Sequence, residues 1–199
     1  RDSENHSQVG AFNIDLTQPN NIFGVTKKPV LETGRLGEFD DSAVIPSWIL
    51  NQGNKKILFY IGWMEGKRVP YHSALGIAES LDGGRTFQKQ NFPYLDRSEV
   101  DPIFIASNCI IIEKDLWRMW YTSNTQWELN GTRPAPRYHI KYAESSNGKD
   151  WNREGRVAID FLDPSEYAIS RPWVIKDKNR YKMWYSCRGD NYKIGYAES

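Results

Sequence analysis

The sequence holds only two cysteines, Cys109 and Cys187, in 199 residues. That is too few for a disulfide framework, and each lies in an apolar, strand-like run, so both are expected as buried free thiols. There are only three histidines, and no close Cys or His accompanies any of them at metal-site spacing. No metal and no cofactor are expected. Long apolar runs are missing too: none approaches the length of a membrane span, and no signal peptide is visible. A membrane partner is therefore not expected and a cytoplasmic location is favoured, although the chain begins Arg1-Asp2-Ser3 without Met and an excised leader stays open. Charge of one sign is also lacking, with 26 Lys plus Arg against 25 Asp plus Glu, which gives nucleic acid no broad electrostatic handle. Nor is there a helical period, since even the stretch 160–167 is broken by Pro164.

Aromatic rings are what the chain has in plenty: 8 Trp, 11 Tyr and 8 Phe within a hydrophobic content of only 39%. Such a core is rich in amphipathic rings. The same rings make platforms for sugar faces, because they join a large apolar area to a polar edge.

The chain repeats itself. Gly76-Ile77-Ala78-Glu79-Ser80 recurs as Lys141-Tyr142-Ala143-Glu144-Ser145 and as Gly195-Tyr196-Ala197-Glu198-Ser199, starting at 76, 141 and 195. Before each copy stands a second match: Ile57–Ile61, Trp117–Tyr121 and Tyr181–Tyr185. Before those come apolar runs at Ala43–Leu50, Ile103–Ile112 and Ser170–Lys176. Asp82-Gly83-Gly84 and Asn147-Gly148 follow the first two copies and carry tight-turn chemistry. Four short strands per unit, recurring every ~50–60 residues, describe a blade of an all-β propeller. Complete blades are expected at 40–98 and 99–157, with partial blades at 1–39 and 158–199. Exposed strand edges at both ends would favour a homo-oligomer.

Met119-Trp120-Tyr121-Thr122, Met183-Trp184-Tyr185-Ser186 and the three Ala-Glu-Ser copies give the chain a clear likeness. It resembles the five-bladed β-propeller superfamily of invertase-like and arabinanase-like glycoside hydrolases, and looks closest to uncharacterised bacterial members. The turn Ser80–Phe87 is similar to the structural Asp-box of sialidase-type propellers. The resemblance implies a carbohydrate ligand in a central cavity, and an incomplete propeller in this chain. It also implies three acids at the inner ends of first strands, one protonated to release the leaving oxygen and one ionised to attack or to activate water.

Aligning the blades on their second strands picks out Asp41, Asp101 and Glu166 as catalytic candidates: Asp41 lies 17 residues before Leu58, Asp101 18 before Met119, and Glu166 17 before Met183. Asp41 and Asp101 also suit turn caps, and Glu166 an exposed loop acid. Asp40 is expected to face solvent or to cap a turn, and ranks behind Asp41. On the closer spacing usual in the resembled enzymes, the inner positions are Pro46, Ser107 and Arg171, none of them a carboxylate. Arg171 could hold a ligand carboxylate or phosphate, or pair with Glu166. Arg188, and Trp63 and Trp127 in loops beyond second strands, complete the expected sugar-binding set together with His72. His139 is more simply structural. The polar segment 126–136, with the sequon Asn130-Gly131-Thr132, is expected as a loop over the cavity. Two functions follow: glycoside hydrolysis by the three acids, or a non-catalytic sugar-binding or scaffold propeller. A sialidase-like reading lacks the arginine cluster and Tyr–Glu pair it needs.

Overall fold

The structure, a computed structural model, describes residues 6–199; the segment 1–5, assigned above to a partial blade, lies outside the described residues. Among the described residues every regular element is a strand and none is a helix. Strands β1 (Asn13–Asp15) and β2 (Gln18–Phe23) form an exposed antiparallel ribbon. The chain flanking that ribbon closes on itself, where Val9 and Leu31 pair, and buries Val9, Val30 and Leu31 against Val44, Leu58 and Tyr60.

A four-stranded antiparallel meander follows, in the order β3 (Ala43–Gln52), β4 (Lys55–Glu65), β5 (Tyr71–Ser80) and β6 (Gln88–Lys89). The second repeat builds β7 (Ile105–Glu113), β8 (Leu116–Asn130), β9 (Arg133–Ser145) and β10 (Val157–Ile159), with the same neighbours. The third gives β11 (Ala168–Asp177), β12 (Arg180–Arg188) and β13 (Tyr192–Glu198). One parallel pairing, Ala168 with Tyr138, links β11 to β9, so the second and third repeats run on as one seven-stranded sheet. The expected loop at 126–136 is instead strand: β8 and β9 extend as a hairpin whose tip holds Gly131 at φ +64, where glycine carries no Cβ penalty.

The turns are built as their residues dictate. Asp82 Oδ1 accepts from Arg85 N at 3.0 Å and Thr86 N at 3.1 Å, while Ser80 Oγ accepts from Gly84 N at 2.8 Å. Side-chain acceptors thus replace the ladder partners that a tight turn withholds from backbone N–H groups. In the second repeat the homologous turn sends Trp151 back to the first, where its Nε1 donates to Tyr94 Oη at 2.7 Å. Tyr94 in turn packs edge-on against Phe59 at 5.4 Å. The cores lie between the sheets. Phe59, Leu75, Ile105, Ile110, Met119 and Tyr121 fill the first gap; Cys109, Trp120, Ile140, Ile169, Val174 and Met183 fill the second.

The ladder registers make the repeat concrete. Tyr60 faces Gly76, Tyr121 faces Lys141 and Tyr185 faces Gly195. Each first strand breaks register at one place: between Pro46 and Trp48, between Ile105 and Asn108, and between Ser170 and Trp173. Bulges of this kind re-aim side chains, and here one recurs in the first strand of all three repeats.

Candidate ligand-binding site

The recurring bulges bring together the three inner positions. Arg171 N donates to Ser107 Oγ at 3.0 Å, and the Arg171 guanidinium donates to Pro46 O at 3.0 Å. Ser47 Oγ donates to Asn108 Oδ1 at 2.7 Å and accepts from Asn108 N at 2.6 Å, which ties β3 to β7 beside them. One residue from each first strand therefore meets at one point, and none of the three is an acid.

The acids go elsewhere. Asp101 is fully buried. Its Oδ2 accepts from Tyr121 Oη at 2.9 Å, its Oδ1 accepts from Ser123 Oγ at 2.6 Å, and Lys141 and Arg153 approach to 3.1 and 3.3 Å. Ser98 Oγ adds a longer contact to Oδ2 at 3.4 Å, and these five partners exhaust its lone pairs. Asp40 does the same in the first repeat: 1% exposed, it accepts from Tyr60 Oη at 3.0 Å and from Lys89 Nζ at 2.8 Å. The expectation that Asp40 faces solvent is thus corrected. The repeat equivalent of Asp101 is Asp40, not Asp41, because both sit 20 residues before the tyrosine they bind. Both tyrosines have raised pKa values, first through burial and then through the neighbouring aspartate.

Asp41 caps a turn, accepting from Gly37 N at 2.9 Å and Ser42 Oγ at 2.8 Å. Glu166 braces the third repeat: Oε1 accepts from Cys187 Sγ at 3.0 Å and Oε2 from Leu162 N at 2.7 Å. Cys187 is in the position of Ser123, so Glu166 repeats the Asp101 arrangement with a longer side chain. Each candidate acid is held within its own repeat, and no hydrogen bond links one to another among the described residues.

Beside Arg171 lies an aromatic floor. Tyr71 packs edge-on against Trp63 at 4.5 Å and Trp127 at 5.2 Å, and Phe104 joins Tyr71 to Tyr138 at 5.4 and 6.3 Å. Trp63 and Trp127 belong to β4 and β8, not to loops, because both strands run past their expected ends. Their indole N–H groups are buried without a protein partner. Arg188 stands over Tyr167 at 5.4 Å and over Tyr192 at 4.9 Å, and donates to Tyr192 Oη at 3.2 Å. Next to it opens a cavity of about 520 Å³ between the β8–β9 hairpin and the chain before β11, lined by Arg137, Tyr138, Tyr167 and Arg188 among others. His72 lines a separate cavity of about 230 Å³ with Phe39, Asp96 and Arg97, and its Nδ1 is buried without a partner. His139 Nδ1 bonds Asp160 at 3.0 Å, as a structural histidine would.

Sequence reasoning missed Tyr138, Tyr167 and Tyr192. A signal existed in the Tyr content of the second and third repeats, but only the fold puts those rings beside Arg171 and Arg188.

No known protein-family profile matches the chain. Uncharacterized protein Rv1502 of Mycobacterium tuberculosis is 34% identical over all 199 residues, and the chain spans 66% of that relative's length. Among solved structures, the sucrose-6-phosphate hydrolase of Lactobacillus gasseri aligns with 85% of this chain and 34% of its own at a TM-score of 0.65 and 16% identity. The Bombyx mori GH32 β-fructofuranosidase aligns with 78% of this chain and 34% of its own at 0.63 and 18% identity. A GH130 glycoside hydrolase, from a group described as targeting β-1,2 mannosidic linkages in Candida mannan, covers 94% of this chain and 58% of its own at 0.53 and 18% identity. At these identities the likeness is one of fold: the chain shares the β-propeller architecture of these glycoside hydrolases.

Proposed function

We propose that this chain is part of a five-bladed propeller that binds a carbohydrate where the first strands meet. In this reading the described repeats supply the wall that holds the ligand. The observation that carries it is the meeting of Pro46, Ser107 and Arg171 at that point, with Arg188 and the Trp127–Tyr71–Tyr138 rings beside them. Rings present flat apolar area to a sugar face, and a guanidinium fixes its orientation through directed donors.

Hydrolysis by Asp41, Asp101 and Glu166 is the second reading, suggested by the glycoside hydrolases that share the fold. Glycosidases need two carboxyls within ~5–10 Å across one bond. An acid enclosed by Tyr121, Ser123, Lys141 and Arg153 has no free lone pair for that task. The binding reading fits these contacts better.

The experiment is a screen of the chain against oligosaccharides by saturation-transfer NMR, together with an aryl-glycoside hydrolysis screen. Binding without turnover, abolished by Trp127→Ala, is expected. Turnover lost in Asp101→Asn with the melting temperature unchanged would establish the hydrolase reading in its place.

A further inference from the structure

We infer that the ligand of this site is an anionic carbohydrate, one bearing a carboxylate or phosphate that Arg171 and Arg188 hold together. The inference rests on the carbohydrate-binding reading and adds to it the charge class of the ligand.

The first ground is charge without an answer. Among the described residues no carboxylate lies within ion-pair distance of either arginine, whereas Arg118, Arg137, Arg153, Arg156 and Arg180 each have one. The expected pair between Arg171 and Glu166 does not form, because Glu166 turns to Cys187 and Leu162. Glu128, the one acid lining the neighbouring cavity, is paired to Arg137 at 3.5 Å. Both guanidinium groups are exposed and uncommitted to any carboxylate, so each is free to take an anion bidentately.

Geometry is the second ground. Ala168 of β11 pairs with Tyr138 on one side and with Arg188 on the other, and Arg171 stands three residues further along the same strand, so strand pairing sets both arginines beside Tyr138. Arg171 is open to solvent, yet surrounding protein draws its pKa down, as expected on the wall of a concavity. Tyr138, Tyr167 and Tyr192 add hydroxyls beside the two cations, donors suited to an oxyanion and to sugar hydroxyls alike.

The third ground is backbone strain. Three non-glycine residues have positive φ: Lys114, Lys178 and Arg171. The two lysines lie in the short turns between β7 and β8 and between β11 and β12, where that conformation is common. Arg171, at φ +55, lies inside β11. A bulky residue held there costs of order 1 kcal/mol or more and persists where its side chain is needed in one direction. Glycine would fit the bulge better.

The test is titration of the chain with D-glucuronic acid, glucose 6-phosphate, glucose and inorganic phosphate, read by saturation-transfer NMR and Trp fluorescence. One charged sugar is expected to bind at least about tenfold more tightly than glucose, the gain from a charge-assisted contact, and to weaken as salt rises. The preferred sugar tells carboxylate from phosphate. Arg188→Ala and Arg171→Gly should bring it to near parity with glucose; the glycine is chosen to keep the fold, with the melting curve as check. Glucose binding as tightly as both charged sugars would overturn the inference and leave the carbohydrate reading standing. Inorganic phosphate binding as tightly as glucose 6-phosphate, with the arginines required, would make the site an anion site and overturn the inference. Failure of every sugar, the uncharged oligosaccharides included, would remove the underlying reading as well.

Discussion

Changing Asp101 to asparagine leaves the shape of a wholly buried side chain and removes the charge that Lys141 and Arg153 answer. The two cations are themselves only 11% and 15% exposed, so water does little to replace the lost partner. Removing one member of such a buried cluster costs about 3–5 kcal/mol. The amide keeps an acceptor for one of Tyr121 and Ser123 but presents an N–H₂ to the other hydroxyl, which now donates there. Against a net stability of about 5–15 kcal/mol this is a large fraction, and at ~2–4 °C per kcal/mol for a chain of this size it lowers Tm by about 6–20 °C. Asp40→Asn serves as the internal comparison. It has two partners in place of five, so its loss should be smaller. Thermal unfolding followed by circular dichroism, with urea melts for ΔG, measures both. A Tm within 2 °C of the parent for Asp101→Asn, a margin set by roughly 1 kcal/mol, would refute the assignment of Asp101 as a clamp within its sheet.

Other sites give sharp expectations. Glu113 accepts from Arg118 at 2.9 Å and from Lys176 and Tyr181, and these contacts, Lys176 first, draw its pKa from 4.5 to about 2. A depressed folded pKa means stabilisation present above about pH 4.5 and lost as pH falls toward about 2; Glu113→Gln should flatten that part of the acid-unfolding profile. A Cβ at Gly76 would lie 2.2 Å from the Tyr60 ring, so Gly76→Ala must displace the ring from Asp40, at a cost of about 1–3 kcal/mol by urea melts. Burial raises Cys109 to about 12 and Cys187 to about 11, the latter with help from Glu166. Neither thiol should react with a disulfide reagent at pH 8 until the chain unfolds, and both should react then.

The repeat, its turns and its strand content could be read from residues alone, because they rest on local chemistry. Asp82 and Asn147 beside glycines make turns wherever they stand, and alternating Trp, Tyr and Ile suit a strand with a covered face. Even the inner positions Pro46, Ser107 and Arg171 followed from counting along the second strands. The acids could not be assigned that way. Asp40 and Asp41 are adjacent in sequence and face opposite environments, one buried against Tyr60 and Lys89 and one capping a turn, since a single step along a chain reverses which side of it a side chain occupies. Where a carboxylate finds its partners depends on residues 20 to 52 positions away, and where Tyr138 and Tyr192 meet the arginines depends on how whole sheets pack. Local pattern determined which strands form; only tertiary packing decided which side chains face a neighbouring sheet and which stay bound inside their own, because that choice is set by contacts between segments far apart in the chain.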